Sequence, residues 1–444
     1  MLFNLRVLGV VLMHCILSLE IAADNLGWES PFTERRQDRI PALYVKGSHF
    51  NIGYNTGKVF ASMIQEFVAT YTPLQGYLDA YNTPEGKLIY DDALTITLEV
   101  YPQYVRELEG IAMGANVSFN TLFLMQLDDT LTQNMPKFDY DKGPIGCTSI
   151  LVNQPEFQCL VHTEDALTET VGHFYLLSAH VIPAEDEKGG LFEAREEIYE
   201  AITYASQLPG YASAHTFCGV VFSVNTIFNS KNLVNRIPRG FISRALLSTR
   251  GDFDDIIRIL ECRGGGAADG FNVNLAFINP WVTGGERVFF HIEVTPNPYE
   301  HKSNLNVHPF FPGENGLHIN KLLYSDYPEL HESGVKSSIV KTRRYRKLTK
   351  NNPIKNLADA IRVIGDRDDR EGYAIFRDSP NDFVNTIMLG IFDFITLSWI
   401  IWTNDPQTNN PILQLPLNFT DLIDPPLTQF CTWPVEPWWP CNFF

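Results

Sequence analysis

A cysteine preceded by glycine, Gly146-Cys147-Thr148, stands where a run of β-branched residues begins. At the head of a core strand a cysteine is poorly placed for a disulfide and well placed for a nucleophile that generates itself. Attack of the Cys147 thiol on the Gly146 carbonyl, an N-to-S acyl shift, followed by hydrolysis would split the chain and leave Cys147 with a free α-amino group. Glycine on the acyl side removes the side chain that would hinder this approach. The new amine has an ordinary pKa of about 7.7 to 8.0, so it can take the proton of its own thiol without help from a histidine. One residue then supplies nucleophile and base. The pattern by itself also fits a buried or disulfide-bonded cysteine.

Other chemistries find less support. The 11 histidines form no HExxH or paired CxxC spacing, so no metal is expected. Gly264-Gly265-Gly266 lacks the Lys-Ser/Thr of a phosphate loop and reads as a connection after a helix, and no cofactor is expected. With 52 acidic against 34 basic side chains the formal charge is −18, which excludes a nucleic-acid partner that relies on a strong basic patch. The densest basic stretch, Lys341 to Lys347, reads as a solvated helix face.

The chain that must position Cys147 is 444 residues long, 45% hydrophobic and 19% charged, with mean hydropathy −0.09, enough to bury a large core. Arg6, the apolar run Val7 to Leu19 and the small pair Ala22-Ala23 mark residues 1–23 as a signal peptide, with secretion or a lumenal location as the expectation and no stable membrane anchor. The second apolar run, Phe383 to Trp402, contains Asn385 and Asp393 and reads as paired core strands. Six cysteines then remain, Cys147, Cys159, Cys218, Cys262, Cys431 and Cys441, for which three disulfides are the simplest expectation. Cys431 and Cys441 flank a Trp/Pro-rich tail and are expected to close it. Asn116 and Asn418 open glycosylation sequons.

No repeat or linker divides residues 24–417. Apolar spacing predicts helices from Gly57 to Tyr71 and from Leu94 to Ala115, and the character changes at Gly146. Strands are predicted over Thr148 to Val152, Phe157 to His162 and Phe174 to Ile182, with Asn153 to Glu156 as a hairpin turn. Further strands are predicted at Val220 to Ile227, Asn272 to Ile278 and Val288 to Val294, and helices at Phe192 to Ala205 and Phe253 to Cys262. Long blocks of both kinds indicate stacked sheet and helix layers, an α+β fold.

Gly146-Cys147-Thr148-Ser149, then His162-Thr163-Glu164-Asp165, then Gly219 to Asn225 form an ordered set with His318-Ile319-Asn320-Lys321, Ile375-Phe376-Arg377 and Gly390 to Asp393. Through these motifs the chain, from about Ile40 to Leu417, resembles the penicillin acyltransferase-type cysteine Ntn hydrolases. The resemblance implies a four-layer αββα sandwich, cut into an N-terminal fragment (24–146) and a C-terminal fragment (147–417) that stay associated, with a tail at 418–444. It implies Cys147 as nucleophile, Asp165 as the acidic residue beside it and Asn225 as oxyanion donor. Thr148 is expected to line the nucleophile strand, Arg244 to bind substrate or form a structural ion pair, and Glu164 or Glu293 to meet a cationic substrate head. The implied substrate is a small amide, an N-β-alanyl amine or related acyl amide. Acyl transfer by the same cysteine, and an inactive secreted binding protein of venom or saliva, are the alternatives.

Overall fold

The computed structural model describes residues 39–134, 146–330, 333–368, 370, 372–379, 382, 384–417 and 431. Residues 1–23, Asn418 and Cys441 lie outside the described residues. Fourteen strands there form two sheets. The smaller is built on the hairpin of β2 (Gly146–Gln154) and β3 (Phe157–Leu167), whose pairing sets Gly146 opposite Asp165, Cys147 opposite Glu164 and Ser149 opposite His162. It continues through β12 (Val384–Asp393), β13 (Ser398–Trp402) and β14 (Leu413–Pro416), with β11 (Asn315–His318) on the far edge against β2. The apolar run that ends at Trp402 thus supplies paired core strands, and no helix among the described residues is long and apolar enough to cross a membrane.

The larger sheet runs β1 (Ala42–Gly47), β4 (Phe174–Val181), β5 (Glu197–Tyr204), β6 (Ser213–Thr216), β7 (Val220–Ile227), β8 (Gly270–Phe277), β9 (Phe289–Thr295), β10 (Asn304–Phe310). Alternation along each strand sends one set of side chains between the sheets and the other outward. Leu151 and Leu160 of the smaller sheet meet Leu176, Ile202 and Val221 of the larger. Outward residues of the smaller sheet, Ile150, Val161 and Ile391, pack on α10 (Ser333–Thr349), α11 (Leu357–Ile364) and their connection, through Leu348 and Val363.

The other outer layer covers the larger sheet with α1 (His49–Val59), α2 (Ala61–Thr70), α3 (Pro73–Tyr81), α4 (Pro84–Val100), α5 (Pro102–Ala115), α6 (Phe119–Met125), α7 (Asp128–Asn134), α8 (Arg239–Ala245) and α9 (Phe253–Glu261). The order is helix, sheet, sheet, helix: an α+β four-layer sandwich. Within the helical layer α1 and α5 cross closely. A Cβ at Gly53 would stand 1.9 Å from the Glu107 carbonyl oxygen, so only glycine allows the approach that sets His49 beside Glu107.

Several elements differ from the sequence expectation. Leu94 to Ala115 is two helices, because Pro102 cannot donate a helical hydrogen bond and starts α5. Phe192 to Ala205, predicted helical, instead contains strand β5, held on both sides by β4 and β6. Sheet pairing overrides that local propensity. Cys431 pairs with Cys218 rather than closing the tail with Cys441. Nor are all the remaining cysteines bridged. Cys147, Cys159 and Cys262 are buried thiols, with Cys159 in the core beneath α10 and α11 and Cys262 capping the C-terminal end of α9 in the core on the other side of the larger sheet.

Candidate active site

Cys147 stands at the start of β2 and lines a cavity that is partly open to solvent. Its walls come from the helical layer (Tyr71, Asp128, Arg239), from β3 (Glu164), and from the end of β5 and the loop after it (Tyr204, Tyr211). The junction is tightly framed. The backbone N–H of Cys147 donates to Asn320 Oδ1 at 3.0 Å, and Asn320 Nδ2 donates to the Thr226 carbonyl at 2.9 Å. A Cβ at position 146 would stand 2.8 Å from Asn320 Oδ1, so any larger residue there would have to displace the side chain that accepts from the Cys147 N–H.

On the inner face of the hairpin, Cys147 Sγ lies 3.9 Å from Glu164 Oε1. Glu164 is also bonded to His162 Nε2 through Oε1 and to the Tyr204 hydroxyl through Oε2. His162 Nδ1 is 2.7 Å from Ser149 Oγ, which donates to Asn225 Oδ1 at 2.9 Å. A polar chain therefore runs from the thiol into the space between the sheets. Burial pushes the Cys147 thiol well above its ordinary range, and the Glu164 and Asp165 carboxylates push it further. The sulfur is thus held as a thiol, the form that a neighbouring base must deprotonate.

Asn225 is fully buried on β7, facing β2 beside Ser149, which shares a face with Cys147. Its Oδ1 accepts from Ser149 and, at 2.6 Å, from Asn274 Nδ2, so the orientation of the amide is fixed. Its Nδ2 has no hydrogen-bond partner among the described residues. Asn225 is not among the residues that line the cavity, where β7 contributes Val224 and Thr226, but a buried, oriented amide donor is costly when left open, and an oxyanion could satisfy it.

Asp165 lies on the opposite face of β3. It accepts from Thr386 Oγ1 at 2.6 Å and pairs with the Lys341 ammonium. Lys341 is 1% exposed, which corrects the reading of its stretch as a solvated helix face: this one lysine turns inward from α10. Thr148 is on the same outer face, 3.4 Å from Lys341 Nζ, and does not line the cavity. Nor does Arg244, which is locked between Glu107 and Glu197 at 2.7 Å from each. Burial pushes the Glu293 carboxyl up, but His318 and the backbone N–H groups of Leu323 and Tyr324 occupy it and hold it below the usual carboxylate range. Of the acids weighed for substrate contact, Glu164 reaches the cavity.

Sequence reasoning gave no role to His162, Tyr204, Asn320, Lys341 or Asp128. The spacing of His162 and Glu164, which puts both on one face of a strand, was the available signal for the first; Lys341 and Asp128 carried none. The Cys147 sulfur and the ligand atoms of His162 and Glu164 lie within 4.8 Å of one another, the one set among the described residues that could hold a metal ion. Asn116 is exposed at the end of α5, as a glycosylation acceptor must be.

Residues 152–407 match the sequence model of a family described as acyl-coenzyme A:6-aminopenicillanic acid acyl-transferase. The chain is 36% identical over 387 residues to the beta-alanyl-dopamine/carcinine hydrolase of Drosophila melanogaster, covering 86% of this chain and 97% of that protein. Among solved structures, penicillin V acylase from Agrobacterium tumefaciens aligns with 57% of this chain and 82% of its own (TM-score 0.34, 10% identity). A mutant conjugated bile acid hydrolase from Clostridium perfringens aligns with 61% of this chain and 92% of its own (TM-score 0.37, 10% identity).

Proposed function

The chain belongs to the acyl-coenzyme A:6-aminopenicillanic acid acyl-transferase family and is an amide hydrolase, and from this premise we propose that it is a self-cleaving thiol enzyme acting on N-β-alanyl amines. The observation that carries the reading is the placement of Cys147, at the start of a strand and lining the cavity, with its backbone nitrogen on Asn320.

Maturation begins with Cys147 Sγ attacking the Gly146 carbonyl. The Gly146–Cys147 peptide bond breaks as a thioester forms, and the proton passes to the Cys147 nitrogen. Water hydrolyses the thioester, leaving the Gly146 carboxylate and a Cys147 that carries both amine and thiol. In the mature site the amine takes the thiol proton, and the sulfur attacks the substrate carbonyl. The developing oxyanion is met by Asn225 Nδ2, a contact worth about 3 to 4 kcal/mol in the transition state. The protonated α-amine gives its proton to the departing amine, and water then releases the acyl group from sulfur. Asn320, and Asp165 with its Lys341 partner, act as positioning residues that hold the cut end of β2 in register.

β-Alanyl amides are the proposed substrates because the Drosophila relative is a hydrolase of β-alanyl-dopamine and carcinine, and because the cavity combines aromatic walls with carboxylates. The Cys218–Cys431 disulfide and the exposed Asn116 favour a compartment of the secretory route. Acyl transfer is the second reading, favoured by the description of the family: an amine bound near the thioester would replace water.

The test is a reducing gel with N-terminal sequencing, alongside release of dopamine from β-alanyl-dopamine, for the wild type and Cys147→Ala. Two fragments with the larger starting at Cys147, and neither cleavage nor turnover in the variant, are the expected results. A wild-type chain that stays intact while hydrolysing the amide overturns the mechanism. Adding a second amine separates hydrolysis from transfer by its products.

A further inference from the structure

Across the cavity from Cys147 the described residues hold more negative than positive charge. Arg239 Nε is 2.9 Å from Asp129 and 3.5 Å from Asp269, so this guanidinium is already shared by two carboxylates. A third, Asp128, lines the cavity and has no basic partner within ion-pair distance among the described residues. Its Oδ2 accepts from the Tyr211 hydroxyl at 3.0 Å and its Oδ1 from the Asp129 backbone N–H at 2.9 Å. Burial and the nearby Asp129 push the Asp128 carboxyl up to about 6 against the pull of Arg239, the direction expected where a cation is missing.

A second observation is independent of the acids. Gln207, 7% exposed, lines the same cavity and spends its Nε2 on the Met125 carbonyl at 2.9 Å, while its Oε1 has no hydrogen-bond partner among the described residues. Beside it Ser206, 1% exposed, also lines the cavity, and its Oγ has no such partner either. An acceptor of this kind, buried and oriented by its own amide donor, costs stability unless a donor fills the space.

We infer that Asp128 and Gln207 form an ammonium subsite of the catalytic cavity, which takes the primary ammonium of the substrate's acyl part. This rests on the proposed β-alanyl specificity and deepens it. A primary ammonium has three N–H donors and no acceptor, matching a carboxylate and an amide oxygen, with the Ser206 hydroxyl as a third acceptor. It also offsets the unbalanced charge. Of the two amides named for the Drosophila relative, the ammonium of the β-alanyl group is the cation both share. Glu164, although closer to the sulfur, has both oxygens engaged by His162 and Tyr204.

The test compares β-alanyl-dopamine with N-propionyl-dopamine, which keeps the shape and loses the ammonium, in the wild type, Asp128→Asn and Gln207→Met. The readout is the ratio of the two kcat/KM values, which divides out any general loss of activity. The wild type is expected to prefer the β-alanyl amide. Asp128→Asn should lower that ratio roughly 30-fold and Gln207→Met roughly fivefold, the effect of removing an acceptor from a bound charge. A wild type that cleaves both amides equally, or an Asp128→Asn enzyme with the wild-type ratio, overturns the subsite and leaves amide hydrolysis standing. The subsite is likewise overturned if Asp128→Asn changes discrimination between dopamine and phenethylamine amides while the acyl ratio stays fixed. A wild type that cleaves neither overturns the β-alanyl reading. Calorimetric binding of the two amides then decides the subsite, and equal affinities overturn it.

Discussion

Arg239 and Arg244 sit on one short helix, each between carboxylates and each over a tyrosine ring, yet their surroundings have opposite characters. Arg244 is fully buried, paired at 2.7 Å with Glu107 and with Glu197, over Tyr104 and Tyr199, with His49 3.2 Å from Glu107. Every charge there faces an opposite or titratable partner, and the cluster is buried. Arg239 stacks on Tyr211 at 4.1 Å and meets two carboxylates, with Asp128 left over at an open cavity. The same residue types serve the core when each charge is paired in a buried space. They serve a ligand when an acceptor is left over where one can enter.

Arg244→Met gives the largest expected effect. It strands two buried carboxylates and should remove about 3 to 5 kcal/mol of stability in urea unfolding, with the acyl preference of the surviving enzyme unchanged. If that preference changes instead, the two clusters are not distinct. Asn225→Ala tests the same principle for a leftover donor. Loss of the open Nδ2 should lower kcat roughly 10²- to 10³-fold with little change in KM, and an effect confined to KM would remove Asn225 from the transition state.

The smallest expected effect is a pH dependence. A carboxyl raised to about 6 is charged above that pH and neutral below it. The ratio of kcat/KM for the β-alanyl and propionyl amides should therefore rise as pH increases through about 6 and fall up to tenfold per unit below it. Burial, Asp129, Arg239 and Tyr211 set the midpoint, and Asp269, Tyr71 and Tyr77 are the other titratable groups that interact with Asp128. The ratio cancels the titration of the Cys147 amine, common to both substrates. A flat ratio from pH 5 to 8 would mean that Asp128 does not meet the substrate's charge.

Local pattern made part of this legible. The turn residues Asn153 to Glu156 and the alternation on either side define the β2-β3 hairpin, and that hairpin alone places Glu164 opposite Cys147. The polar residues inside Phe383 to Trp402 marked strands rather than a membrane span. What pattern could not convey is which distant segment covers a given face. Lys341 belongs to a polar helix whose composition says solvent, and only the sheet beneath it supplies Asp165. Arg244 has the chemistry of a substrate ligand and becomes a core residue because α1 and α5 bring Glu107 to it. Glu197 and Glu200 read as helix formers, but both have partners across layers or strands, Arg244 and His215, that stabilise them in β5.

Strand β1 comes before the Gly146–Cys147 junction and pairs in parallel with β4, which comes after it. Cys218 and Cys431 both lie downstream, so their bridge does not tie the two sides together. Under the proposed cleavage at this junction the folded particle would become a heterodimer of its own making, held together by an edge strand and a helical blanket. Its precursor can refold as a single molecule. A chain cut there and then melted would have to find its other half by diffusion, so the proposed activating cleavage would also make loss of the fold hard to reverse.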